Sequence, residues 1–273
     1  MQTLLPLLVE PKDLETVIES DQLLIVDLTR PEHYRLHHIP NAVYLDYSNI
    51  TRKQPPVMGL LPDPETLLGV LSDIGWSSDK HVVAYDEEGG AKACRLLWTL
   101  HAVGHAQTSL LNGGWTAWAE GEYPISQNPY LPIATQIPRP LEWDFSVIAD
   151  RAYILDNLDD PDFRIIDTRT RAEYTGADQR ARKAGHIPGA IHFEWTRAFN
   201  PDDANRLFPA ARLQAELEDI GISRNHDIVV YCQTHHRSAH TWFLLKWLGY
   251  PRVRGYAGAW SDWGNAENTP IEI

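Results

Sequence analysis

The chain states one pattern twice, and that duplication limits it to folds built from two copies of a single unit. The stretch LPDPETLLGVLSDIGWSSDKHVVAYD, ending at Asp86, aligns without a gap with LFPAARLQAELEDIGISRNHDIVVYC, ending at Cys232, at a constant offset of 146 residues. Leu67, Leu71, Asp73, Gly75, Val83 and Tyr85 all meet identical residues in the second stretch. Upstream, LLIVDLTRPEHY matches FRIIDTRTRAEY, and HIPNA from His38 matches HIPGA from His186. Downstream, Trp115 and Trp118 find Trp260 and Trp263.

Between the copies, residues 124–140 carry Pro124, Pro129, Pro132, Pro138 and Pro140. Proline at that density continues neither a helix nor a central strand, so the stretch reads as an extended linker. The expected organisation is a first domain over 1–124, a linker over 125–148 and a second domain over 149–273. Within each copy strand and helix alternate. Residues 23–26 and 165–166 are apolar runs ending in Asp, as buried strands are. Leu67, Leu68, Leu71 and Ile74 sit at helical spacing with Gly75 as a stop, and Leu213, Leu217, Ile220 and Gly221 repeat this. A second buried strand follows (82–85 or 228–231), then an apolar helix, expected over about 238–248 in the second copy. The alternation implies an α/β fold in which each copy is a parallel sheet with helices on both faces. Ligands of such sheets bind beyond the carboxyl ends of the strands.

That rule places Cys232, at the end of IVVYC, where chemistry is expected. Gln233 to Arg237 form a short loop and a helix follows. Inward-pointing N–H groups of a tight loop, the positive end of the helix dipole, Arg237, and His235 and His236 when protonated all favour thiolate over thiol. The same donors suit negative charge on a bound persulfide or a departing anion. A packing role for Cys232 fits poorly with the polar, cationic QTHHR that follows it. Cys94, inside an apolar helix over 91–100, is expected to pack.

Composition narrows the partners. The net charge of −13 argues against nucleic acid and anionic membrane surfaces, and it leaves an anionic substrate in need of a local positive site. Two cysteines give no disulfide framework, and MQTLLPLLVE lacks a basic start and is broken by Pro6 and Glu10. A cytoplasmic protein is expected.

The segments GHIPGAIHFEW (185–195), the strand–Cys–loop–helix around Cys232 and YAGAWSDWG (256–264) resemble the tandem-domain rhodaneses, the thiosulfate and mercaptopyruvate sulfurtransferases. The resemblance covers nearly the whole chain, and CQTHHR is most similar to the loop of a bacterial thiosulfate sulfurtransferase subgroup. It implies two rhodanese-like domains, of which the first is inactive because Asp86 stands where Cys232 stands in the second. It implies that the Cys232 thiolate takes the outer sulfur of thiosulfate and passes it to a thiophilic acceptor such as cyanide or a thiol, with no metal or organic cofactor. A single chain holding both domains is sufficient as a monomer. The loop lacks the Gly-rich sequence of mercaptopyruvate enzymes and the basic pair of the animal thiosulfate enzymes. The cationic loop suits thiosulfate better than a keto acid.

The expected substrate-binding residues are therefore Gln233, Thr234, His235, His236 and Arg237, with Trp195 lining the mouth or packing in the core. His186, Asp27 and Asp167 have counterparts or are counterparts in the copy without the cysteine, so they are expected to be structural. Arg182 and Lys183 are expected to be a solvated basic patch. His235, His236 and His240 lack the second ligand pair that a zinc site wants. A phosphatase or arsenate reductase on the same fold separates cysteine and arginine by five residues, where Cys232 and Arg237 are separated by four. A non-catalytic binding module is opposed by the intact Cys232.

Overall fold

The computed structural model describes residues 4–137 and 140–273, so Pro138 lies outside the described residues. The chain packs into two compact units. The first holds Met1–Ile50, Pro62–Trp143 and Phe199–Leu207; the second holds Thr51–Leu61, Asp144–Ala198 and Phe208–Ile273. Each unit therefore includes a short segment from the other half of the sequence.

The first unit is a five-stranded parallel sheet in the order Leu8–Val9, Thr108–Leu111, His81–Tyr85, Leu23–Asp27, Val43–Tyr44. The second is a five-stranded parallel sheet in the corresponding order Ile148–Ala149, Val253–Tyr256, Asp227–Tyr231, Phe163–Asp167, Ile191–His192. The α/β class and the duplication read from the sequence are thus both present. The continuous apolar runs become central strands because helices cover them on both faces. Pro64–Asp73 and Ala210–Asp219 are the helices with Leu67 and Leu71, or Leu213 and Leu217, turned inward. Gly75 and Gly221 follow them at φ 75° and 83°, the left-handed conformation that ends a helix with least strain at glycine.

The motifs shared by both copies hold the sheets to their connecting turns. His38 Nδ1 lies 2.7 Å from the Tyr34 carbonyl and His186 Nδ1 lies 2.9 Å from the Tyr174 carbonyl. Tyr231 donates to Asp167 at 2.6 Å and accepts the Ile187 N–H; Tyr85 makes the same pair of bonds with Asp27 and Ile39. The copies differ in one residue beside that carboxylate. In the second, the buried Arg169 meets Asp167 at 2.6 Å, donates to the Gly185 carbonyl and lies 4.4 Å above the Trp260 ring. In the first, Thr29 stands there, and burial pushes the Asp27 carboxyl up to about 6 against its hydrogen bonds from Thr29 and Tyr85.

The two aspartates should respond unequally to neutralisation. Asp27 is harder to ionise in the folded state, so its favourable contribution is present at low pH and lost as pH rises through about 6. At pH 8, Asp27→Asn is expected to cost less than about 1 kcal/mol in urea unfolding. Asp167→Asn strands a guanidinium whose side chain is 1% exposed and is expected to cost roughly 3–5 kcal/mol. Equal costs at pH 8 would refute the contrast.

Candidate active site

Cys232 follows the central strand Asp227–Tyr231 and is 1% exposed. The helix begins at Arg237, one residue earlier than the sequence pattern indicates, and runs to Trp247. The turn into it is made by His235, fully buried at φ 54°, a conformation costing a non-glycine residue roughly 1–2 kcal/mol. Its Nδ1 lies 2.7 Å from Ser238 Oγ, which fixes both side chains. With the loop so turned, the backbone N–H groups of Thr234 and Ser238, the Ser238 hydroxyl and the Arg237 guanidinium all hydrogen-bond the Cys232 sulfur.

Burial alone would push the Cys232 thiol up, but the Arg237 charge and the bonds from Ser238 and Thr234 outweigh it and hold the thiol below its ordinary value. Cys94 shows the opposite balance. It is equally buried, and with no such donors its thiol is pushed well up by burial and by Asp86.

Arg237 is itself held by Glu173, which accepts from both terminal nitrogens at 2.6 and 2.9 Å. Glu173 is 3% exposed. Burial acts to raise its carboxyl, but the Arg237 bonds and charge and the Thr170 bonds prevail and lower it to about 2. It also closes a capping box with Thr170 on the helix Arg171–Tyr174. The sequence reading did not single out Glu173. Two signals mark it: the T-x-x-E spacing of a capping box, and its counterpart in the first copy, His33, in the register set by Tyr34 and Tyr174. Arg237 falls opposite Ala91, so neither member of the pair is present in the first copy.

The loop is backed by the helix Ala259–Trp263. Trp260 N–H donates to the Cys232 carbonyl at 2.9 Å and Ser261 N–H to the Gln233 carbonyl at 3.0 Å. The antiparallel pair Arg52–Gln54 and Val57–Leu60, part of the second unit, lies on the same loop. Met58 N–H donates to Ser261 Oγ at 3.1 Å, and a Cβ on Gly59 would fall 2.1 Å from the Thr234 carbonyl oxygen. Only glycine permits that approach, and nothing in the local sequence announces it. Trp195, half-buried, meets His240 edge-on at 5.5 Å and so packs beside the helix that Arg237 begins. Burial lowers His240 to about 4, a neutral ring at neutral pH. Lys183 donates to the carbonyls of Glu267 and Thr269 and to Thr269 Oγ1, which makes it a strap for the C-terminal segment and not the solvated charge expected of it. Arg182 is exposed.

The first unit repeats this construction with a carboxylate at the centre. Trp115 N–H donates to the Asp86 carbonyl at 2.9 Å, as Trp260 does to Cys232. Asp86 Oδ1 accepts the N–H groups of Glu88 and Gly90, and Oδ2 those of Lys92 and Ala93, at 2.8–3.0 Å. The donor ring of a loop and helix N-terminus is present and is filled by the chain's own anion. Among the described residues no group of three or more His, Cys, Asp or Glu is arranged to hold a metal ion, and no helix is long and apolar enough to cross a membrane.

Two copies of one α/β unit, one with a buried, activated cysteine inside a donor ring, define a rhodanese. The chain belongs to the rhodanese-like domain family, whose model matches residues 10–121 and again 150–266. It is 41% identical to a thiosulfate sulfurtransferase of Azotobacter vinelandii and 40% identical to one of Pseudomonas aeruginosa, each over 98% of both chains. It is 32% identical to the sulfur carrier protein TtuD of Thermus thermophilus, covering 93% of this chain and 90% of that one. Among solved structures, the anaerobic ergothioneine biosynthesis enzyme of Chlorobium limicola matches with a TM-score of 0.88 at 23% identity, over 98% of this chain and 70% of that one, a likeness of fold.

Proposed function

We propose that this protein is a thiosulfate sulfurtransferase in which Cys232 carries sulfur as a persulfide. The observation that carries the reading is the donor ring around a buried Cys232, which lowers its thiol despite the burial. The thiolate attacks the outer sulfur of thiosulfate, an S–S bond forms to Cys232, the S–S bond of the donor breaks, and sulfite leaves with the electron pair. Cyanide or a thiol then attacks the outer persulfide sulfur and returns the Cys232 thiolate, so turnover is ping-pong. The N–H groups of the loop and the Arg237 charge stabilise the anion at each stage. Gln233, Thr234, His235, His236 and Arg237 form the substrate-binding loop of the CQTHHR thiosulfate subgroup, with Trp195 at its side. The domain over 149–273 is catalytic. The one over 1–124 is not, because Asp86 carries no transferable sulfur and fills its own ring. Cytoplasmic location, a monomeric state and the absence of nucleic-acid and membrane partners complete the assignment.

Intact mass spectrometry before and after thiosulfate tests it, with mercaptopyruvate and an aryl phosphate in parallel. The expected result is a gain of one sulfur on Cys232 that cyanide removes. No gain from either sulfur donor, with phosphate released instead, would make the protein a phosphatase.

A further inference from the structure

The centre of the active site is short of positive charge. Arg237 bonds both Glu173 and the Cys232 sulfur, so one cation faces two anions before any donor arrives. A dianionic donor approaching that centre is repelled, on a protein whose net charge is −13.

The second copy carries a stretch that the first lacks. Three residues separate Tyr34 from His38, whereas eleven separate Tyr174 from His186. The longer segment contains Arg180, Arg182 and Lys183. Its far end is strapped down: Lys183 N–H donates to the Gly264 carbonyl at 2.9 Å, and Arg182 N–H to Asn265 Oδ1 at 3.0 Å. Its middle touches the active loop, where Gln233, the residue after the nucleophile, donates through Nε2 to the Arg180 carbonyl at 3.2 Å. The Arg180 side chain is 58% exposed and braced by Asp178 at 2.7 Å. Its charge acts on both Glu173 and Arg237.

We propose that Arg180 is a specificity-determining residue: its backbone carbonyl is held at the rim of the loop by Gln233, and its exposed guanidinium draws anionic sulfur donors to Cys232. The proposal rests on the reading of Cys232 as a nucleophile toward an anionic donor. It explains how an acidic protein admits such a donor when Arg237 is already engaged. Lys183 is engaged with carbonyls, and Arg182 lies two residues further from the Gln233 anchor.

The test compares alkylation of Cys232 by iodoacetate, an anion, with alkylation by iodoacetamide, its neutral analogue. Both react with the thiolate, and neither depends on sulfur transfer. In R180Q the iodoacetate-to-iodoacetamide rate ratio is expected to fall roughly three- to ten-fold at low salt, and the deficit to close near 1 M salt. The iodoacetamide rate should hold, R180K should restore the ratio, and R182Q should change it less than about two-fold. In steady-state assays the KM for thiosulfate should rise by a similar factor with kcat held. An unchanged ratio in R180Q overturns the proposal, as does an equal loss with both reagents or an equal effect of R182Q. If no variant turns over thiosulfate yet the ratio still falls, the donor assignment fails and the role of Arg180 stands.

Discussion

Cys232→Ala is expected to abolish sulfur transfer, lowering turnover by at least about 10⁴-fold, while the circular dichroism spectrum and elution volume stay those of the parent protein. The size of the effect follows from the absence of a substitute. Cys94 is the other thiol, and it is fully buried in the helix Ala91–His101 with its thiol pushed up, so it neither ionises nor meets a donor. The substitution removes one sulfur atom from a site whose scaffold is made by other groups: the Trp260 bond to the residue 232 carbonyl, the His235–Ser238 bond and the Glu173–Arg237 pair. The cost in stability is therefore expected near 1 kcal/mol. Intact mass spectrometry after thiosulfate should show no added sulfur, and retained turnover would place the nucleophile elsewhere.

Arg237→Ala is expected to act on reactivity and on stability at once. Without the guanidinium, burial dominates at Cys232, and the pH midpoint of its alkylation should move up. Glu173 is then buried without its partner, which costs roughly 3–5 kcal/mol. The acid dependence of unfolding should change sign with it. In the parent protein Glu173 is depressed to about 2, so its stabilisation is present above its ordinary value near 4.5 and disappears as pH falls toward 2. In the variant the carboxyl is raised by burial, so stability falls as pH rises through its new value. Pairing Arg237→Ala with Glu173→Gln should recover most of the stability and none of the reactivity. Recovery of both would mean that Arg237 acts on Cys232 only by holding the loop in shape.

The contrast between these residues and the rest of the site shows what a sequence can disclose. Tyr85 and Tyr231, the buried strands before them and the helix stops at Gly75 and Gly221 were legible because each is a local pattern stated twice. Cys232 was legible because it breaks the repeat at one position. Glu173 was not, since its role depends on an arginine 64 residues later in the chain. The start of the helix was misplaced by one residue because His235 adopts a left-handed conformation that no composition rule assigns to histidine. Arg182 and Lys183 stand out in the sequence as an adjacent pair, yet bonds to Gly264, Glu267 and Thr269 turn Lys183 inward, and Arg180 is the one whose backbone is set against the loop.

The exchange of segments between the units bears on how the protein is born. A ribosome finishes Trp143 long before it reaches Phe199–Leu207, yet the first unit includes that stretch, whose Leu207 N–H donates to Asn112 Oδ1 at 2.9 Å. At about 5–20 residues per second, the nascent first unit waits roughly 3–13 s with that place unfilled. The segment Thr51–Leu61 waits longer still for the loop after Cys232 and the helix Ala259–Trp263 on which it will lie. Synthesis is vectorial, but completion is not: the first unit closes only once Leu207 has been made, when much of the second already exists, which makes folding of this duplicated chain a late event for both units.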